Sequence, residues 1–138
     1  MDIWWMNSFP GHITDIKTYG NMSVVYVEVE NQIQLISIII DTPETAPYLT
    51  KGNKVNVLFK EMEVAISTQM ELDISIENKI SGIISDMEVG ELMSRLIVET
   101  NFGEVVAVIS SNSANQLGLV KKMKVKIMVK MNEIILAP

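Results

Sequence analysis

Lys79-Ile80-Ser81-Gly82-Ile83-Ile84-Ser85-Asp86-Met87 decides the fold, because the chain carries a second version of it about 70 residues upstream. Aligning Gly82 with Gly11 also brings Ile84 onto Ile13, Asp86 onto Asp15, Met93 onto Met22, Val98 onto Val27 and Glu99 onto Glu28. After one residue of slippage the register continues, with Ile39 on Ile109, Leu49 on Leu119, Lys51 on Lys121, Lys54 on Lys124, Val55 on Val125, Lys60 on Lys130 and Glu63 on Glu133. An ordered series with a single gap identifies two copies of one unit.

Each unit reads as β. In Ser23–Glu30, Val25, Val27 and Val29 alternate with Tyr26, Glu28 and Glu30, the period-two pattern of a strand with one wet face. Ile33–Ile40 is more uniformly apolar and suits a strand buried on both faces. Asp41–Pro47, with two prolines, reads as a turn or a short capped helix, Lys51-Gly52-Asn53 as a tight turn and Lys54–Lys60 as a strand; a strand near Met62–Ser67 is expected to complete the first unit. The second unit repeats the order through Lys79–Met87, Ser94–Thr100, a hairpin at Asn101-Phe102-Gly103, Glu104–Ile109 and Met123–Lys130, and Ile134–Leu136 closes it. Ser113–Leu117 is the expected helical turn, with Ser113 as N-cap and Gly118 as its stop.

Five short strands and one helix per unit describe a small barrel. The expected fold is therefore all-β: two tandem OB-like five-stranded β-barrels, each with one short helix. Residues 1–68 form the first unit, 69–77 a connector or exchanged strand, and 78–138 the second. Leu72, Ile74 and Ile76 alternate strongly enough for part of the connector to be a strand.

At 138 residues, the repeat leaves two units too small to bury much core apiece. With 48% apolar residues and ten methionines, they should lean on one another or on other chains, so a homo-oligomer is expected. Cysteine is absent, which removes disulfides and thiolate metal sites. Met1-Asp2-Ile3-Trp4-Trp5-Met6 has no basic n-region and no long apolar stretch, so neither secretion nor a membrane span is expected, and a cytoplasmic location follows. A formal charge of −6 argues against a nucleic-acid coat, and the lysines of Lys121–Lys130 alternate with aliphatics rather than aromatics. No nucleophile–base pair, phosphate loop or metal-ligand cluster is visible, so an enzyme is not expected. His12 reads as a surface or turn residue, Trp4 and Trp5 as burying against the barrel or a neighbour, and the methionines as gap fillers.

Chemistry concentrates in Ser110-Ser111-Asn112-Ser113-Ala114-Asn115-Gln116-Leu117-Gly118-Leu119 and the strand closing on Lys130. Hydroxyl and amide donors with one cation suit a small doubly charged oxyanion held locally. On residues alone, Ser113 is equally a plain helix cap and Lys130 a solvated lysine of a sheet face.

Ser75-Ile76-Glu77-Asn78-Lys79-Ile80 leading to Gly82, Ile109–Leu119 and Val129-Lys130 together resemble the molybdate/tungstate-binding Mop domain, the TOBE-like unit of molbindins. The resemblance spans nearly the whole chain as two tandem copies. It implies oxyanions between neighbouring barrels and compact oligomers, trimers for two-copy chains. It further implies ligand roles for Ser75, Ile76, Asn78, Ser110, Ser111, Asn112, Ser113 and Lys130, with the first copy lending Lys60. The ligand is molybdate or tungstate, with no cofactor and no metal held except as oxyanion. Glu77 stands where the family has Arg, and a carboxylate about 4 Å from a dianion costs on the order of 4 kcal/mol per unit charge near a dielectric of 20. In the first copy Trp4, Met6, Ile40 and Pro43 replace ligand residues, and Asp41 and Glu44 add charge, so that copy reads as mainly structural, with Lys60 and Asn7 retained. Two functions remain open: an oxyanion binding protein for storage, buffering or homeostasis, and a regulatory or assembly module that has lost tight oxyanion binding.

Overall fold

A computed structural model of the chain describes residues 5–138; Trp4 and the rest of the N-terminal segment lie outside the described residues. Strands β1 (Met6–Tyr19), β2 (Met22–Glu28), β3 (Gln34–Ile39), β4 (Lys54–Lys60) and β5 (Ala65–Ser67) belong to the first copy. Those of the second are β6 (Asn78–Val89), β7 (Met93–Thr100), β8 (Gly103–Ser110), β9 (Lys124–Val129) and β10 (Ile135–Ala137), with helix α1 (Ser111–Gln116) between β8 and β9.

The two copies exchange their last strands. One antiparallel sheet runs β10-β4-β1-β2-β3 and the other β5-β9-β6-β7-β8. Ala65, Ile66 and Ser67 pair with Met128, Ile127 and Lys126, while Ile135, Leu136 and Ala137 pair with Leu58, Val57 and Asn56. The strand expected to complete the first unit thus completes the second, and the chain's last strand returns to the first. Residues 69–77 contain no strand, despite their alternation. Among the described residues, α1 is the one α-helix; the matching stretch of the first copy is a turn closed by Ala46 N–H to the Thr42 carbonyl, 2.8 Å, because Pro43 and Pro47 remove the donors a longer helix needs.

Alternation sets which side chains enter the barrels. Val25, Val27, Val55 and Val57 point inward in the first copy and Leu96, Val98, Val125 and Ile127 in the second, all buried. One continuous apolar core runs through both units. Phe102, at the tip of the β7–β8 hairpin, meets Phe9 of β1 edge-on at 4.8 Å between ring centres, and Phe9 stacks on Phe59 at 5.9 Å.

The repeated polar residues mark shared backbone irregularities. Both β1 and β6 slip register at the same place, between Ile13 and Asp15 and between Ile84 and Asp86. There Asp15 accepts the Ile16 N–H at 2.9 Å and pairs with Lys51, and Asp86 accepts the Met87 N–H at 2.9 Å and pairs with Lys121. The Ile16 N–H, then Lys51, holds the Asp15 carboxyl below its ordinary range; for Asp86 the hydrogen bond from Lys121 leads, with the Met87 N–H next. Gly11 and Gly82 are needed for close approach: a Cβ on either would lie 2.7 Å from the Glu28 carbonyl oxygen or 2.8 Å from that of Glu99.

A matched pair of carboxamides fastens one barrel to the other. Asn7 donates to the Val106 carbonyl at 2.9 Å and accepts the Val106 N–H at 2.8 Å. Asn78 does the same with Ile36, at 2.8 Å in both directions, and donates its second proton to the Val129 carbonyl at 3.0 Å. Each carboxamide mimics a peptide group against the open edge of β8 or β3, closing it against further strand pairing. No helix among the described residues is long and apolar enough to cross a membrane.

Candidate oxyanion site

The hydroxyl cluster forms where β8 runs into α1. Ser110, still extended (φ −65°, ψ 143°), is the N-cap: its Oγ accepts the Ser113 N–H at 3.1 Å. This corrects the expectation of Ser113 as cap; the helix begins as soon as β8 ends, and the first residue able to reach back to a free N–H is Ser110. Gly118 follows the helix with φ +63°, the left-handed stop expected there. Ser110 Oγ donates its own proton to Ser113 Oγ at 2.9 Å. Ser113 therefore accepts from within the turn, and its own proton is available to a ligand. It lines a cavity of about 260 Å³ with Ala65, Ile66, Ile109 and Leu117.

Ser111 faces the other way. Buried, it donates to the Gly90 carbonyl at 2.7 Å and shares a 2.8 Å bond with Ser94 Oγ, and its N–H goes to the Leu92 carbonyl. Its expected ligand role gives way to an anchoring one: the hydroxyl ties α1 to the β6–β7 turn. Asn112 is exposed on the first turn of α1.

The second group of expected ligands precedes and flanks β6. Ser75 is exposed and Ile76 half-buried in the segment before the strand. Asn78, the first residue of β6, is buried, and its oxygen and both amide protons are spent on Ile36 and Val129. Within this chain its side chain therefore has no donor left for an anion; the carboxamide closes a strand edge instead.

Lys130 directly follows β9, one position beyond the Asn78–Val129 pair, so the ladder direction sets it opposite Glu77. Lys60 ends β4 opposite Met6, the corresponding place in the first sheet. Both lysines are exposed, and neither forms an ion pair among the described residues. Glu77 lines a cavity in the seam between the barrels together with Lys79 and Lys126.

The corresponding turn of the first copy is closed on itself. Ser23 donates to the Asp41 carbonyl at 2.6 Å, Thr45 Oγ1 donates to the Asp41 carboxylate at 2.9 Å, and Ile40 is exposed. Trp5, expected to bury against the barrel or a neighbour, is 55% exposed on the single chain, beside Val89 and Met93. Sequence reasoning did not single out Ser94 as the partner of Ser111; its signal is its alignment with Ser23, which braces the same turn in the other copy.

Two OB-type barrels, joined head to tail in sequence and interlocked by their final strands, define a tandem-repeat protein of small β-barrels. The chain belongs to the TOBE domain family, whose model matches it twice, over residues 6–66 and 74–136. Its fold is similar to the solved structure of the cytoplasmic molybdate-binding protein ModG with molybdate bound, with a TM-score of 0.87 at 21% identity over 95% of this chain and 94% of that one. Among curated proteins none matches.

Proposed function

We propose that the protein binds molybdate or tungstate and serves in the cytoplasm to store or buffer the metalate. The observation that carries this reading is the Ser110–Ser113 pair, in which the Ser110 hydroxyl accepts the Ser113 N–H and donates to Ser113 Oγ, so that the Ser113 proton is left for a ligand. Molybdate and tungstate are fully deprotonated at neutral pH and only accept hydrogen bonds, so a lining of O–H, N–H and ammonium donors suits them. Inorganic phosphate carries a proton part of the time at neutral pH and then needs an acceptor as well. Asn112 and Ser75 add side-chain donors, the Ile76 backbone an amide, and Lys130 and Lys60 the positive charge.

Lys130 is not among the residues lining the Ser113 cavity, and the site is read as closing between barrels of neighbouring copies, in a homo-oligomer for which a trimer is favoured. Ile40, Val89, Leu92 and Val120 are exposed apolar surface that such a neighbour would cover. The resemblance in fold to a molybdate-binding protein supports the ligand class.

A second reading is a regulatory or assembly module without tight oxyanion binding, which Glu77 beside Lys130 and the committed carboxamide of Asn78 favour. Calorimetric titration with molybdate, tungstate and sulfate separates the two. The binding reading expects tight association for the first two and none for sulfate, with Ser113→Ala and Lys130→Ala each weakening it tenfold or more. Absence of heat with either metalate, or a Lys130→Ala variant that binds as well as the parent, gives the module reading its place.

A further inference from the structure

The two copies of the repeat differ in charge on one outer face. On β6 and β9 that face carries Lys79, Ser81 and Lys126, where β1 and β4 carry Ser8, Pro10 and Asn56. Ser81 and Lys126 are opposite one another in the ladder, and Lys126 Nζ donates to Ser81 Oγ at 3.0 Å. Lys79 is the diagonal neighbour of Lys126, so the two stems rise about 7–8 Å apart on one face; the Lys79 ammonium lies 3.5 Å from the Leu72 carbonyl, a contact it would exchange for a bound anion.

Over this face lies a cavity of about 380 Å³ in the seam between the barrels. Gln32 and Gln34 of the first copy form one wall, and Asn101, bonded through its carbonyl to the Asn31 side chain, closes one end. A second cavity of about 280 Å³ shares Ser81 and Asn101 with the first, and Met70, Gly82 and Ile83 give it an apolar side beside Lys124. Together they exceed what one tetrahedral anion fills. Glu77 also lines the first cavity and Glu99 the second, so Lys79, Lys126 and Lys124 stand against two carboxylates and leave the seam a small excess of positive charge.

We propose that this seam is a separate site for a phosphate monoester, with the phosphoryl group between Lys79, Ser81 and Lys126 and the organic body along Met70, Gly82 and Ile83. None of these residues belongs to the proposed metalate site, so the two readings stand or fall separately. In a protein of net charge −6, attraction of the anion is local to these lysines and weakens with added salt.

The test is a titration of the full chain at pH 7.5 and low salt with phenyl phosphate and with inorganic phosphate, followed by calorimetry. Phenyl phosphate should saturate at one per chain and bind severalfold tighter than inorganic phosphate. Lys79→Gln with Lys126→Gln should weaken it at least tenfold, with the circular dichroism spectrum and the molybdate titration unchanged from the parent. Failure to saturate, equal affinity for the two phosphates, or undiminished binding by the folded double variant would overturn the assignment.

Discussion

Replacing Asn78 by Ala should cost the fold about 4–6 kcal/mol. The side chain makes three hydrogen bonds within 2.8–3.0 Å, two partly buried ones with Ile36 and a buried one to Val129. Each contributes about 1 kcal/mol net, and leaving the Ile36 N–H and carbonyl without partners inside the seam adds about 1–3 kcal/mol. Against a typical domain stability of about 5–15 kcal/mol this is about a quarter or more of the total. Asn78→Asp keeps the size and the acceptor but removes both donors, turning oxygen toward two carbonyls, so it should be at least as damaging. Asn7→Ala breaks the two-bond counterpart and, on the same reckoning, should cost about 3–5 kcal/mol. Urea unfolding followed by tryptophan fluorescence, at one protein concentration for all variants, measures the differences. A loss below about 1 kcal/mol for both Asn78 variants, with unchanged m-value, would refute the view that carboxamides hold the barrels together.

Lys122 occupies φ +73°, where the first copy has Gly52 at φ +90°. Lys122→Gly should therefore stabilise the chain by about 0.5–1 kcal/mol, relief of the left-handed strain outweighing the added backbone entropy, as thermal and urea unfolding can show. Ser111→Ala should lower stability by about 1–3 kcal/mol because it strips the Gly90 carbonyl and Ser94 of a buried partner, whereas Asn112→Ala on the exposed side of the same helix should not; the same unfolding assay separates anchor from surface donor. Asp15 and Asp86 titrate below the ordinary value of 3.8 when folded. Their contribution is present above the unfolded pKa and is lost as pH falls through the folded values, so Asp15→Asn with Asp86→Asn should flatten the acid limb of a stability–pH curve below about pH 4.

What could be read beforehand followed the physics of alternation and repetition. Val25–Val27 and Val125–Ile127 announced inward-facing strands, and the Gly11/Gly82 alignment located two barrels. β1, its alternation broken by Pro10-Gly11-His12, was not singled out as a strand, although its alignment with β6 carries the signal. The partner choice of β5 and β10 was illegible because both copies offer nearly equivalent apolar edges, so local pattern cannot say which barrel each completes. The hydroxyl loop was visible, but which serine faces inward depends on the Gly90 and Ser94 contacts of Ser111, a tertiary matter. Asn78 was read as a ligand for the same reason: a carboxamide at a strand start looks identical whether it meets an anion or the edge of another sheet.

The crossing of the terminal strands makes the ancestral duplication hard to reverse. A polypeptide trimmed to either half keeps a β-arm built to fit the missing half and lacks the arm that would finish its own barrel. Such a fragment gains closure by trading arms with a second identical fragment, so the covalent link between the halves turns an encounter between molecules into a step within one, and the pair should unfold together rather than as two independent beads.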